Sequence, residues 1–206
     1  MFGTPTRNRI DERRAATRRE IVDAAWAVAR ERGLGQMTLR DVAERVGMRP
    51  PSLYTHVASK AAIYDAMFHD AWTQCLVVLE EAARRLPPDP RGQLRLVART
   101  YVEFGVEDLA RHQVMDVRVL PDYVPSEEAY APSLQVMARL LGLMEGMGIT
   151  DQEQVDLFVA TVGGLVAAQH ANDPGGTRYR RLVDRAVDMY ADAVGLPASP
   201  EAGADR

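Results

Sequence analysis

Residues 37–57, MTLRDVAERVGMRPPSLYTHV, leave this chain few ways to fold locally. Thr38 is placed as a helix N-cap, and Asp41, three residues on, as the acid of a capping box. Leu39, Val42, Ala43 and Val46 then recur at the spacing of one helical face. Gly47 follows where a left-handed residue ends a helix. Pro50 and Pro51 fit only the first turn of a new helix, where a missing N–H costs nothing. That second helix carries Ser52, Tyr54, Thr55 and His56 and almost no acid. Two short helices joined by a glycine turn, the second polar to basic, have the shape of a helix-turn-helix that reads DNA.

The flanking residues extend the pattern. Ile21, Ala24, Ala25, Val28 and Ala29 share one face of a preceding helix, with Thr17 and Glu20 spaced as its capping box and Gly33 at its end. Ser59 is placed to cap a following helix that begins with Lys60. Thr17, Arg18, Ile21, Ala24-Ala25, Glu31-Arg32-Gly33, Thr38, Asp41-Val42-Ala43, Val46-Gly47, Leu53-Tyr54, His56 and Ser59-Lys60 keep their fixed spacings together. Over these residues the segment resembles the N-terminal domain of the tetracycline-repressor (TetR) family. Arg49, Val57 and Ala61 depart from it, standing where the family usually has Ser, Phe and Glu. The stretches 120–132 and 171–176 resemble actinobacterial members more loosely.

A net charge of −4 argues by itself against a DNA binder, but its distribution reverses the argument. Residues 1–60 hold 12 Arg or Lys against 7 Asp or Glu, a net of +5, whereas the rest holds 13 against 22, a net of −9. A positive N-terminal third on an acidic body is a localised footprint for phosphate. The single cysteine, Cys75, excludes an internal disulfide framework and fits a reducing cytosol, so a cytoplasmic protein is expected. No run of 18 apolar residues occurs, and no membrane association is expected.

Beyond residue 60 the periodicity is helical throughout, broken at Pro87–Pro90, 121–125, Gly148 and 172–176. Thr150 and Glu153 are spaced as another capping box, and the last helix reads from Thr177 to Val194. The expected fold class is all-α: a three-helix helix-turn-helix domain followed by a larger helical domain. The boundaries read as a flexible basic arm over 1–16, a DNA-binding domain over 17–62, a ligand-binding and dimerisation domain over 63–196, and a disordered tail over 197–206. The arm has a second reading, as a contact to phosphate or the minor groove.

Arg49 is the one side chain at the start of the reading helix able to grip guanine with two hydrogen bonds. Ser52 and Thr55 share that end of the helix. The resemblance implies that Thr38, Tyr54, His56 and Lys60 contact phosphate, which positions a protein without reading sequence. Partial packing of Tyr54 and helix capping by His56 are the plainer readings. His69, His112 and His170 show no metal-ligand spacing, and Glu80-Glu81 and Glu127-Glu128 point to different helix faces. No catalytic residue, cofactor or metal is expected.

Trp72, Tyr101, Phe104, His112 and Met144 combine large apolar groups with polar neighbours, as a small-molecule pocket requires; plain core is the alternative. Gly163, Gly164 and Ala167 give one helix an unusually small face, and Val183, Val187 and Tyr190 give the last helix an apolar stripe. The resemblance implies an inducer pocket in the body and a homodimer through the last two helices. It implies a repressor on a pseudo-palindromic duplex operator, released by a small hydrophobic or amphipathic molecule. Two readings compete: a ligand-free DNA-binding or architectural protein, and a small helical enzyme using His112, Asp116 and Arg118.

Overall fold

The computed structural model describes residues 6–117 and 123–198, and every regular element among them is helical. Nine α-helices follow in order: α1 Thr6–Arg32, α2 Leu39–Val46, α3 Pro50–Tyr54, α4 Lys60–Ala83, α5 Pro90–Glu107, α6 Leu109–Asp116, α7 Glu127–Glu145, α8 Gln152–Asn172 and α9 Val183–Ala193. They divide into two compact units. The head runs to Asp70 and takes in Gln113–Tyr130; the body comprises Ala71–His112 and the residues from Ala131 onward. The division falls inside α4, so the sequence boundary at 62/63 lies within a continuous helix.

Two local expectations change at the N-terminus. α1 starts at Thr6, so residues 6–16 are helix and not a flexible arm. The Thr17–Glu20 cap does not form, because the helix already runs through it. The cause is composition: residues 6–20 contain no Gly or Pro and are dominated by Arg, Ala and Glu, which are good helix formers.

In the head, Ile21, Ala25, Val28, Leu34, Met37, Val42, Ala43, Leu53, Ile63 and Met67 are buried. The capping box expected at α2 is present: the Thr38 hydroxyl accepts from Asp41 N–H at 3.2 Å, and the Asp41 carboxylate accepts from Thr38 N–H at 3.1 Å. At the other end Gly47 adopts φ 76°, and Met48 N–H reaches Ala43 O at 2.8 Å. Only glycine takes that left-handed conformation without strain. Trp26 Nε1 donates to Asp70 at 2.8 Å, tying α1 to α4. Ser59 caps α4 as expected, accepting from Ala62 N–H at 3.1 Å.

The body core is built by α5, α8 and α9. Leu94, Ala98, Val102, Met144, Phe158, Val162, Val166, Val183, Val187 and Tyr190 form one buried cluster. Gly105 lets α5 approach α8, since a Cβ there would lie 2.8 Å from Val166 Cγ1. α5 and α9 run antiparallel and are joined by a ladder of ion pairs: Arg91–Asp192 at 2.6 Å, Arg95–Asp188, and Arg99–Asp184. Arg180, in the short 3-10 turn before α9, adds a fourth rung to Glu103 at 3.1 Å. Arg91 is buried and also donates to the carbonyls of Leu196 and Pro197, both at 2.6 Å, which fastens the chain after α9.

Three further boundaries move. Asp151, not Thr150, caps α8, its carboxylate accepting from Glu153 N–H at 3.0 Å. The last α-helix begins at Val183, because residues 173–182 form turns organised by the buried side chain of Gln169, whose carbonyl accepts from Tyr179 N–H at 2.8 Å. The expected loop at 121–125 and tail at 197–206 lie partly outside the described residues.

Removal of the Thr38 hydroxyl in Thr38→Ala is expected to lower stability by about 1 kcal/mol. The Thr38 hydrogen bonds hold the Asp41 carboxyl below its ordinary pKa. The cap's contribution is therefore present above the usual carboxylate range and is lost as pH falls. Arg91→Met leaves a buried carbonyl without a donor and should cost about 2–3 kcal/mol. Denaturant unfolding of both variants, repeated on acidification for the first, checks these values.

Candidate nucleic-acid interface and body cleft

α3 is short, but its anchorage is strong. Leu53 is fully buried, while Arg49, Pro50, Pro51, Ser52, Tyr54 and Thr55 around it are exposed. One apolar side chain thus pins the helix to the head and turns its polar residues outward. Arg49 occupies the N-cap position in extended backbone (φ −73°, ψ 141°) and makes no capping bond. Among the described residues its guanidinium has no ion-pair partner, whereas Arg32 pairs with Asp41 at 2.5 Å and Arg45 with Glu31. The head therefore neutralises two arginines internally and leaves Arg49 exposed at the start of α3.

The residues expected to grip phosphate divide into two groups. Tyr54 is 54% exposed, so the packing alternative contributes little for its ring. The Thr55 hydroxyl donates to Ser52 O at 2.7 Å, and His56 is half-buried at the helix end. Thr38 and Lys60 have structural duties. The Thr38 hydroxyl belongs to the capping box, and Lys60 Nζ donates to Gly35 O at 3.2 Å while lying 5.5 Å from the Tyr64 ring centroid. The Tyr64 phenol donates to Leu34 O at 2.5 Å, and burial pushes its pKa up to about 12.

The body contains an open cleft of about 700 Å³. Val78, Phe104 and Val106 supply its apolar surface, and Arg99, Glu103 and Arg180 stand along it. His170 also lines it, with Nε2 2.9 Å from Gly105 O, and its ring stacks on buried His112 at 5.2 Å between centroids. Of the five residues expected to form a pocket, Phe104 lines this cleft and His112 stands one ring behind it. Tyr101 packs against the body core and Trp72 is half-buried. Met144 is a correction: it is completely buried in the core, where its flexible side chain fills space between helices. For the enzyme alternative, His112 is buried, Asp116 is exposed and Arg118 lies outside the described residues.

The small face of α8 is open. Gly164 and Ala167 are exposed, Gly163 is half-exposed, and a Cβ added at either glycine would meet nothing within 4 Å. The α9 stripe is the second correction. Val183, Val187 and Tyr190 are 6%, 2% and 4% exposed and face the protomer's own core. Burial of this stripe against α5 and α8 holds α9 on the body, and the ion-pair ladder along the edge fixes its alignment with α5. Leu182, just before α9, and Met189 within it are the large hydrophobics left exposed there.

Sequence reading missed the charged members of the cleft and the ladder that presents them. A signal was available: Arg91, Arg95 and Arg99 recur every four residues on one helix, and Asp184, Asp188 and Asp192 do so on another.

The family model described as bacterial regulatory proteins, tetR family, matches residues 21–67. Tetracycline repressor protein class D of Escherichia coli is 38% identical over 50 residues, which are 24% of this chain and 23% of that protein. The chain thus aligns with about a quarter of this curated relative's length. A TetR family transcription regulator from Marinobacter aquaeolei VT8 has a similar fold, with TM-score 0.64 and 16% identity over 91% of this chain and 98% of its own. The transcriptional regulator FadR from Bacillus subtilis, solved in complex with stearoyl-CoA, shares the fold at TM-score 0.63 and 17% identity, over 83% and 96% of the two chains. The capped helix pair and the glycine turn lie within the matched segment, so residues 21–67 are similar to the tetR family of bacterial regulatory proteins.

Proposed function

We propose that the chain is a homodimeric, sequence-specific DNA-binding transcription regulator, a repressor that leaves a pseudo-palindromic operator when a small hydrophobic or amphipathic molecule occupies the body. The observation that carries the reading is the outward face of α3: Arg49, Ser52 and Tyr54 are exposed around fully buried Leu53, in an N-terminal segment of net charge +5. Arg49 serves as the base-reading residue, and Ser52 and Thr55 lie beside it. Tyr54 and His56 hold phosphate, with Lys60 and Thr38 contributing from the rim. The family match over residues 21–67 supports this assignment. The stearoyl-CoA in the FadR neighbour supports a ligand in the body, and the open cleft favours that over the ligand-free reading.

For the dimer, the outer face of α8 is the better candidate. Leu157, Ala160, Gly164 and Ala167 are exposed along it, and Met189 on α9 is 65% exposed. Small residues let two helices approach closely and bury Leu157 and Met189. Val183, Val187 and Tyr190 have no part in this face.

Fluorescence anisotropy with operator fragments tests the DNA assignment. Affinity should fall steeply with added salt as counterions are released. Arg49→Ala should relax preference at one base pair by about 1–3 kcal/mol, while Tyr54→Phe should weaken all sequences alike. A binding curve indifferent to salt, or an unchanged preference after Arg49→Ala, refutes it. Gly164→Leu separates dimer from fold: the open site accommodates the side chain, and replacing a helical glycine should stabilise the protomer by up to about 1 kcal/mol. Sedimentation should then show a folded monomer with weakened operator binding; an intact dimer would move the interface elsewhere.

A further inference from the structure

Resting on the reading of the cleft as the effector site, we infer that it takes an amphipathic anion, held by Arg99 and Arg180 in exchange for their own carboxylates. Binding thereby unhooks the start of α9 from α5. Every charge along the cleft is already paired, so the class of ligand depends on which pair opens at least cost. Arg99 donates from Nε and Nη2 to Asp184, and Arg180 makes one contact with Glu103 at 3.1 Å. Glu107 pairs with Arg111 at 2.9 Å.

An incoming anion would release Asp184 and Glu103. Their side chains are 42% and 60% exposed, so water takes over at once. Exposed ion pairs contribute little to stability, which makes the exchange cheap. An incoming cation would have to borrow Glu103 or Glu107, releasing Arg180 or Arg111. Arg111 is 10% exposed by side chain, lies 3.6 Å over the Phe104 ring and donates to Phe104 O at 2.5 Å. Stripped of its carboxylate it would be a buried charge with only neutral partners, a costly arrangement. An anion can thus engage two arginines through exposed pairs, Arg99–Asp184 and Arg180–Glu103, whereas a cation can reach only one carboxylate, Glu103, at similar cost, and this asymmetry favours an anion.

The geometry suits one with an apolar body. Arg99 comes from α5 and Arg180 from the turn before α9, and Val78, Phe104 and Val106 give the adjoining surface a place for hydrocarbon. A guanidinium has five N–H donors in a planar fork, so Arg180, with one carboxylate contact, keeps donors for a second oxyanion. Its position is set from behind: the buried Gln169 carbonyl accepts from Arg180 N–H at 3.2 Å. A ligand on Arg99 and Arg180 loosens the two rungs nearest the 173–182 turns and leaves Arg91–Asp192 and Arg95–Asp188 in place.

Three probes with the same ten-carbon chain isolate the head group: decanoate, decanol and decyltrimethylammonium, titrated calorimetrically into the full-length protein. Decanoate should bind at least tenfold tighter than decanol, with decyltrimethylammonium weakest. The double variant Arg99→Gln/Arg180→Gln should bring decanoate down to the affinity of decanol and leave decanol unchanged. Glu103→Gln, which frees Arg180, should tighten decanoate severalfold, a gain that no loss of folding produces. Equal binding of decanoate and decanol, or an anion preference surviving the double variant, overturns the inference and leaves the effector cleft standing. Binding of none of the three overturns both.

Discussion

The antiparallel pairing of α5 with α9 governs the body. Its apolar half sinks Val183, Val187 and Tyr190 against Leu94, Ala98 and Val102. Its polar half sets arginines on one helix against acids on the other along the same edge. Burial supplies most of the stabilisation, because half-exposed ion pairs are individually weak. The ion pairs instead fix how α9 aligns with α5 along that edge. That packing leaves the small face of α8 uncovered and carries Arg180 to the cleft. Two exposed surfaces therefore follow from one helix contact.

The head obeys a simpler logic. A five-residue helix cannot hold itself in water, since nucleation alone would defeat it. α3 persists because Pro50 and Pro51 preset its first turn, Gly47 redirects the chain into it and Leu53 is fully buried. These are local devices, and for that reason they were legible in the sequence. Caps, left-handed glycines and helix-starting prolines act within a few residues, so spacing alone reveals them. The matching of Thr38 with Asp41 and the role of Gly47 needed no tertiary knowledge.

What the sequence concealed is long-range. Val183, Val187 and Tyr190 formed an apolar stripe with two possible destinations, a partner or the protomer's own core, and periodicity is the same for both. The decision was made by Leu94, Ala98 and Val102 on α5, more than eighty residues away. Met144 likewise carries the composition of a pocket residue and the burial of a core residue. The basic N-terminus misled for another reason: charge density suggested disorder, while the helix propensity of Arg and Ala extended α1 to Thr6. Thr150 lost the cap to Asp151, its neighbour, since both can accept from the next turn and nothing local decides between them.

The ladder's fourth rung reverses its polarity, glutamate on α5 and arginine before α9. Partners rise by four along one strand of the ladder as they fall by four along the other. If α9 slid one turn in one direction, Arg180 would stand opposite Arg99; in the other, Asp184 would stand opposite Glu103. A ladder of uniform polarity would tolerate either slip with the loss of a single rung. The inverted rung turns each slip into a collision of like charges, so these four pairs work as a checksum on the alignment of the two helices.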